Sequence, residues 1–194
     1  MEIEKTLVLD TQNASFPAPV SRKSGDHEFR DVQMIDYPYF IDLRPTGLAS
    51  DHAVTGNLPQ ITMAWASPIV VKPGADTAAT VLLKSSAEAW LSNSRTITPS
   101  IDAKGRGNFK PPAPDDSAAS AKPLVGARNL GVALQGRFKS FFADRDNPLD
   151  IPPVTGALQR SPESARIVLY SSNDFMDDQI LKSIVTASGT QYLG

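Results

Sequence analysis

The clearest pattern of hydrophobic and polar positions lies near the carboxyl end of the chain, in the stretch Arg166–Ile184. Ile167–Tyr170 is a short continuous apolar run of β-branched, aliphatic and aromatic residues, which is typical of a strand covered on both faces. The polar residues Ser171–Asp174 interrupt the run and predict a turn. Asp174 suits the N-cap of a following helix, because its carboxylate can accept the free N–H groups of the first turn. The predicted helix has an apolar face made of Phe175, Ile180, Leu181 and Ile184.

The rest of the chain predicts more strands than helices. Strand-like segments are Ile3–Leu9, Phe29–Met34, Tyr37–Leu43, Ile61–Val71, Thr80–Leu83 and Leu130–Leu134. Pro38 predicts an edge strand or an extended connector, since proline cannot donate to a strand ladder. Thr11–Asp26 predicts an extended polar loop, and Ala87–Leu91 a short helical or irregular segment. Because a strand feeding a helix is the repeating unit of α/β folds, we expect an α/β fold with a mixed sheet and few helices.

The length of 194 residues suits a single domain, so we expect one α/β domain over residues 1–194. Residues 101–123 are rich in proline, glycine and small polar side chains, and predict a mobile surface insertion. Residues 143–162 predict a second, long polar loop. A strand-like run lies almost at the start of the chain and a helix-like run almost at its end. We therefore expect an incomplete part of a larger domain, excised from a longer protein.

Composition narrows the function classes. Hydrophobic residues make up 41% and charged residues 21%, which is too apolar for global disorder. The formal net charge of −2 does not suggest a general nucleic-acid binder. The absence of cysteine excludes disulfides, thiolate metal sites and a cysteine nucleophile. The most apolar run, Ile61–Val71, is too short to span a bilayer and contains Pro68. The first residues lack the pattern of a signal peptide.

Four serines follow predicted strands and are the first candidates for chemistry: Ser85, Ser86, Ser171 and Ser172. The histidines are His27 and His52, and no G-x-S-x-G motif surrounds any of the serines, so capping of strand ends and helix starts is the favoured interpretation. The acids Asp174, Asp177 and Asp178 could offer oxygens to Mg²⁺ or Ca²⁺, but carboxylates at a helix start are explained by the helix dipole. We predict no catalytic residue and no metal site. The candidate ligand-binding residues are Ser171, Ser172, Asn173, Asp174, Ser85 and Ser86.

Two further features leave alternatives open. Aromatic residues could line a carbohydrate or peptide groove, or could pack in the core; they are Tyr37, Tyr39, Phe40, Trp65 and Trp90. The basic turn Gly136–Lys139 could contact an anion or a membrane surface. Neither the P-loop pattern nor the dinucleotide-binding pattern is present, and we predict no cofactor.

An ordered set of segments resembles a known family. The segments are Met34–Leu43, Leu58–Pro68, Leu82–Trp90, Leu130–Ser140 and Ile167–Phe175. In this order they resemble the extracytoplasmic domain of GldG-like proteins, the auxiliary component of uncharacterised ABC-type transport systems related to gliding motility. In that family the last strand usually ends in a Gly-Asp-Ser-Asp-Phe-like turn. The matching residues are Ser171–Phe175, without the glycine and the first acid.

The resemblance implies a location, a set of partners and a fold. It implies a membrane-anchored protein whose soluble domain faces the periplasm or the cell exterior, beside an ABC permease and an ATPase. It implies a three-layer fold similar to the glutamine-amidotransferase-like α/β class. That class uses a cysteine nucleophile, which this chain lacks, so the resemblance favours a non-catalytic domain that binds a ligand or a partner. The alternatives are a carbohydrate-binding module, and a serine hydrolase using Ser171 or Ser172 with His52 and an acid.

Overall fold

The computed structural model describes residues 1–24, 27–72, 76–94, 96–101, 107–112, 124–145 and 158–187. Within these ranges the chain forms ten strands, one short 3-10 turn (Pro45–Gly47) and one α-helix. The strands are β1 (Glu2–Ile3), β2 (Leu7–Leu9), β3 (Asn13–Ser24), β4 (His27–Leu43), β5 (Ile61–Ala64), β6 (Ile69–Val70), β7 (Thr77–Lys84), β8 (Trp90–Ser92), β9 (Asn129–Gly136) and β10 (Arg166–Tyr170). The helix is α1 (Asp178–Ala187).

The strands form four small sheets in the described part of the chain. Two sheets have three strands, in the orders β3-β4-β5 and β10-β9-β7, and two are the pairs β2-β8 and β1-β6. All of these pairings are antiparallel. Strand accounts for 45% and helix for 6% of the structure, so the protein is mostly β. The expected three-layer α/β fold with a mixed sheet, resembling the glutamine-amidotransferase-like class, is therefore wrong.

The longest pairing is the hairpin of β3 and β4, whose register runs from Asn13↔Ile41 to Ser24↔His27. Its first strand covers most of Thr11–Asp26, so the prediction of a loop there is wrong. Pro17 and Pro19 are compatible with β3 because it is an edge strand, where a missing N–H can face away from the ladder.

Pro38 lies in the central strand of its sheet, so the prediction of an edge position is also wrong. β4 joins the two predicted strands Phe29–Met34 and Tyr37–Leu43 into one. The register of the hairpin shifts here, because Asn13 pairs with Ile41 and Ser15 pairs with Asp36. The extra residues lie in β4, and Pro38 is one of them. A bulge of this kind lets a ladder pass a residue that cannot donate.

The other strand predictions have mixed outcomes. Thr80–Leu83 and Leu130–Leu134 lie within β7 and β9, as predicted. Ile61–Val71 is divided into β5 and β6, because the chain is irregular from Trp65 to Pro68. The segment predicted to be helical or irregular around Trp90 instead contributes to β8, which pairs with β2. Most of the predicted insertion at 101–123, and the middle of the predicted loop at 143–162, lie outside the described residues.

Two hydrophobic clusters form the core of the described part of the chain. One is mainly aliphatic and consists of Val8, Ile41, Leu43, Leu48, Met63, Ala66, Leu82, Leu83, Ala89 and Leu130. The other is mainly aromatic and consists of Leu9, Tyr37, Tyr39, Phe40, Ala64 and Trp90. β2 and β4 contribute residues to both clusters, so the core joins the hairpin sheet to the β10-β9-β7 sheet.

The strand, turn and helix predicted over Arg166–Ile184 are present, but the strand is not covered on both faces and the helix does not pack on it. Ile167 and Val168 are 42% and 43% exposed, so the prediction of a strand covered on both faces is wrong. β10 is the edge strand of its sheet, and α1 packs against β3 instead of folding back over β10. Ile180 contacts the aromatic cluster, whereas Leu181 is 44% exposed.

The N-cap of α1 is Asp177, not the predicted Asp174. The Oδ1 atom of Asp177 accepts the N–H groups of Gln179 at 2.8 Å and Ile180 at 3.3 Å. Asp174 lies one turn earlier, where its carbonyl oxygen accepts the N–H of Asp177 at 3.0 Å. The sequence offers several acids in a row, and local pattern alone does not choose among them.

Candidate functional site

The four candidate serines follow two strands that finish at the same end of one sheet. β7 and β10 both run antiparallel to β9, so they run in the same direction and finish at the same end of the sheet. Ser85 and Ser86 follow β7, and Ser171 and Ser172 follow β10. The start of β9 lies between the two pairs. The sequence predicts that each pair of serines follows a strand, and the structure shows that the two strands finish at the same end of the sheet.

Ser85 and Ser171 form hydrogen bonds that connect the ends of β7 and β10 to the chain at the start of β9. The Oγ atom of Ser85 accepts the N–H of Arg128 at 2.8 Å, and the N–H of Ser85 donates to the carbonyl of Arg128 at 2.9 Å. Both the Oγ and the N–H of Ser171 donate to the carbonyl of Leu130, each at 3.0 Å. These hydroxyls complete main-chain hydrogen bonding where the ladder ends, as the capping interpretation predicts.

Ser86 is held by a buried carboxylate that sequence reasoning missed. Asp10 follows β2 and is 0% exposed. Its Oδ1 accepts the hydroxyl of Ser86 at 2.6 Å and the N–H of Gln12 at 3.0 Å, and its Oδ2 accepts the N–H of Ser86 at 2.8 Å. The available signal was an acid directly after the apolar strand Leu7–Leu9. Asp10 and Ser86 are far apart in sequence, so periodicity does not reveal the pairing.

Ser172 organises the turn that leads to α1. Its hydroxyl donates to the carbonyl of Ala64 at 2.5 Å. The same oxygen accepts the N–H groups of Asp174 and Phe175, both at 3.2 Å. Asn173 is exposed beside this turn. The bond to Ala64 connects β10 and its turn to the hairpin sheet, so Ser172 joins two parts of the fold.

A small polar groove opens at the end of β7, beside Ser85 and Ser86. Its volume is about 300 Å³, and it is lined by Gln12, Leu43, Arg44, Thr46, Gly47, Lys84, Ser85, Ser86, Ala87, Glu88 and Ala127. Arg44 contacts Asp42 in an ion pair of 2.6 Å. The exposed side chains of Lys84 and Glu88 add one charge of each sign. We call this the polar groove. It can bind a polar or charged group through hydrogen bonds and ion pairs.

The polar groups of this edge do not form a serine hydrolase triad. The hydrogen bonds of the Ser171 and Ser172 side chains go to main-chain atoms, and His52 is not among their partners. The Nδ1 atom of His52 instead accepts the N–H of Val54 at 3.2 Å. A nucleophile needs a general base within hydrogen-bond reach. In the described ranges, no group of three or more histidines or acids is arranged to hold a metal ion.

The aromatic residues proposed for a carbohydrate groove pack mainly in the core. Tyr37, Tyr39, Phe40 and Trp90 are between 0% and 4% exposed, and Trp65 is half-buried. The indole N–H of Trp65 donates to the Tyr37 hydroxyl at 3.0 Å. That hydroxyl donates to the carbonyl of Ile97 at 2.6 Å. Burial raises the pKa of Tyr37 above its ordinary value. These five rings therefore do not present the open stacking surface that a sugar requires.

The fold and the site define a mostly β domain whose candidate hydroxyls serve in structural hydrogen bonds beside a small polar groove. The chain belongs to a family of ABC transport auxiliary proteins described as "ABC-type uncharacterized transport system", whose model matches residues 1–192. This match confirms the resemblance to the auxiliary component of such systems. A comparison with curated proteins and another with solved structures found no match. Among the described residues, no helix is long and apolar enough to cross a membrane.

Proposed function

We propose that the protein is a non-catalytic auxiliary domain of an ABC-type transport system, and that it acts by binding a partner subunit. The observation that carries this proposal is the family match, which extends over residues 1–192. Membership associates the chain with transport.

The geometry of the strand ends supports binding over catalysis. Ser85, Ser171 and Ser172 use their hydroxyls to hold main-chain groups, and Ser86 is held by Asp10. The hydroxyls of Ser85, Ser171 and Ser172 therefore bond to main-chain atoms and not to a general base, and the hydroxyl of Ser86 serves to tie its strand end to the buried Asp10. Of the six candidate ligand-binding residues, Asn173 has the most exposed position, and Ser85 and Ser86 line the polar groove.

The polar groove offers charges of both signs to a loop of a partner protein. A volume of about 300 Å³ lies at the lower end of the range of small-molecule sites, and its lining carries charges of both signs. Exposed charges at an interface set the choice of partner and the association rate more than the affinity. We therefore place the partner contact at Lys84, Glu88 and the neighbouring strand ends.

We further propose the partners and the location that the resemblance implies. The partners are the permease and ATPase subunits of the transport system. The protein is anchored in the inner membrane, and this domain faces the periplasm or the cell exterior. The nucleotide would be hydrolysed by the separate ATPase subunit.

A site-specific crosslinking experiment tests the proposal. A photoreactive residue replaces Lys84 in the tagged full-length protein, which is expressed in its source organism and purified in mild detergent after irradiation. Glu163 is a matched control, because it is also exposed but lies near the opposite end of the β10-β9-β7 sheet. We expect a crosslinked permease band from position 84 and none from position 163. The absence of a permease crosslink from position 84 would contradict the proposal.

A further inference from the structure

A second small pocket opens beside the aromatic cluster, where the chain after β8 passes residues 108–110. Its volume is about 250 Å³. Buried residues from three strands line its inner side: Leu9, Tyr39 and Trp90. The other residues that line it are Ser92, Ser94, Thr96, Asn108, Phe109 and Lys110. We call this the hydroxyl pocket. It shares no lining residue with the polar groove.

Contacts among described residues hold the outer side of the hydroxyl pocket in place. Ile101 and Gly107 form an antiparallel bridge. Next to it, the N–H of Asn108 donates to the carbonyl of Ser100 at 3.1 Å, and the Oδ1 atom of Asn108 accepts the N–H of Ser100 at 2.9 Å. The ring of Phe109 packs edge to face on the Tyr39 ring, with 4.9 Å between their centroids. The segments 96–101 and 107–110 are therefore fixed to each other and to the aromatic cluster.

The hydroxyl of Tyr39 is buried without a partner. Tyr39 is 0% exposed, and its hydroxyl oxygen makes no hydrogen bond within the described part of the chain. The neighbouring Tyr37 differs, because its hydroxyl is bonded to both Trp65 and Ile97. Buried polar groups are nearly always hydrogen-bonded, and an unpaired one is costly. An unpaired hydroxyl on a residue that lines a pocket points to a ligand that supplies the acceptor.

The other polar groups of the lining are also available as donors. The Oγ atoms of Ser92 and Ser94 accept the main-chain N–H groups of Ser94 and Thr96, both at 3.1 Å, which leaves their hydrogens to donate. Lys110 adds a positive charge, and the lining that the structure describes contains no aspartate or glutamate. A set of donors with one cation favours an acceptor that carries negative charge.

We propose that the hydroxyl pocket binds a small carboxylate, which accepts hydrogen bonds from Tyr39, Ser92 and Ser94. Lys110 supplies the balancing charge. A carboxylate has two acceptor oxygens and no donor, so it matches this lining. The volume lies below the ~300–1,000 Å³ typical of small-molecule sites, so the ligand has few atoms besides the carboxylate. Trp90 and Phe109 provide a surface for its apolar part. The site is independent of the partner contact proposed at the polar groove.

A matched pair of probes tests the requirement for charge. Benzoate and benzamide have nearly the same shape, but only benzoate carries a carboxylate. Each is titrated into ¹⁵N-labelled protein and followed by NMR, with the indole N–H signal of Trp90 as the reporter of the pocket. We expect benzoate to shift this signal, and benzamide to bind at least about tenfold more weakly, because hydrogen bonds to a charged group are the stronger ones. The affinity for benzoate should fall as salt rises.

Single substitutions test the assigned donors. Tyr39→Phe removes the unpaired hydroxyl and keeps the ring, so it should weaken benzoate binding about tenfold or more. Tyr170→Phe is the matched control, because it removes the hydroxyl of a half-buried tyrosine that does not line the pocket, and it should bind benzoate as the unchanged protein does. Lys110→Gln should weaken binding about two- to fivefold, since Lys110 is exposed.

Stability without the probe gives a second readout. The urea midpoint of Tyr39→Phe should equal or exceed that of the unchanged protein, because the hydroxyl has no bond to lose. A lower midpoint would show that the hydroxyl is paired in the unliganded protein, and would overturn the proposal.

Three binding results would also overturn it. The first is the absence of a benzoate-dependent shift at Trp90, and the second is equal binding of benzoate by Tyr39→Phe and the unchanged protein. The third is equal binding of benzoate and benzamide. Inorganic phosphate is a further probe, and tighter binding of phosphate than of benzoate would refute the choice of a carboxylate. The crosslink from position 84 reports on the polar groove and does not depend on any of these results.

Discussion

The most stringent test of the structure is removal of the Asp10 carboxylate. Asp10 is fully buried and accepts three hydrogen bonds, from the N–H of Gln12 and from the N–H and hydroxyl of Ser86. The change Asp10→Ala leaves these donors without their acceptor. It also separates the end of β2 from the strand end that lines the polar groove.

The expected cost follows from the number and kind of bonds lost. A hydrogen bond to a charged group contributes about 1.5–3 kcal/mol. The Ser86 hydroxyl can rotate, and water can enter from the neighbouring groove, so the three contributions do not add in full. We expect Asp10→Ala to lower the free energy of unfolding by about 3–5 kcal/mol, a large part of the ~5–15 kcal/mol typical of a domain.

Equilibrium unfolding in urea, followed by tryptophan fluorescence, measures this cost. With a slope of about 2 kcal/mol/M, the midpoint should fall by about 1.5–2.5 M. Asp51→Ala is the control, because Asp51 is exposed and makes no hydrogen bond within the described part of the chain; its effect should stay within about 0.5 kcal/mol. In a double-mutant cycle, Asp10→Ala and Ser86→Ala should couple by at least about 1 kcal/mol. A loss below about 1 kcal/mol for Asp10→Ala would refute the buried network.

Three further changes test other parts of the fold. Ser172→Ala should cost about 1–2 kcal/mol in urea unfolding, because it removes the link to Ala64 and the cap of the following turn, whereas Asn173→Ala should be near neutral. Asp177→Ala should lower the helical signal in circular dichroism and cost about 1 kcal/mol, and Asp177→Ser should restore most of both. Tyr37→Phe should cost about 1–3 kcal/mol near neutral pH, because it breaks the bonds to Trp65 and Ile97.

The raised pKa of Tyr37 also predicts a pH dependence. Burial disfavours the phenolate in the folded state, so the unfolded chain ionises first, near pH 10.0. Stability should therefore be fully retained below about pH 10 and fall as the pH rises from there through the folded pKa. Urea unfolding at several alkaline pH values should show this fall in the unchanged protein and a smaller fall in Tyr37→Phe. An equal fall in both would assign the effect to other groups.

The sequence identifies the strands whose signal is local. β7 and β9 follow from short apolar runs bounded by polar or glycine residues. β3 does not, because Pro17 and Pro19 are typical of loops unless the strand lies at an edge. The continuity of β4 across Pro38 depends on a bulge in β4, where the segment from Asp36 to Ile41 lies opposite only Asn13–Ser15 of β3, and this is a property of the pairing rather than of either strand alone.

The candidate site was predictable in part for the same reason. Serines after apolar runs are visible in the sequence, and their capping role follows from residue type. To predict that Ser85 and Ser171 lie at the same end of the sheet, one must know that β7 and β10 both pair with β9. To predict the Asp10–Ser86 contact, one must know that the ends of β2 and β7 meet. Both are long-range facts that hydrophobic periodicity does not contain.

The error in fold class comes from the strand–turn–helix unit and has a physical cause. An apolar strand followed by a capped helix predicts an α/β layer only if the helix returns over its own sheet. Here the Ser172 hydroxyl fixes the turn to Ala64 of the hairpin sheet, and Ile180 packs in the aromatic cluster. The helix is therefore directed across the domain to β3. Ile167 and Val168 remain more than 40% exposed because α1 covers the hairpin instead of β10. The bond from the turn to Ala64 and the packing of Ile180 together fix which sheet the helix covers, and the apolar pattern is the same in either case.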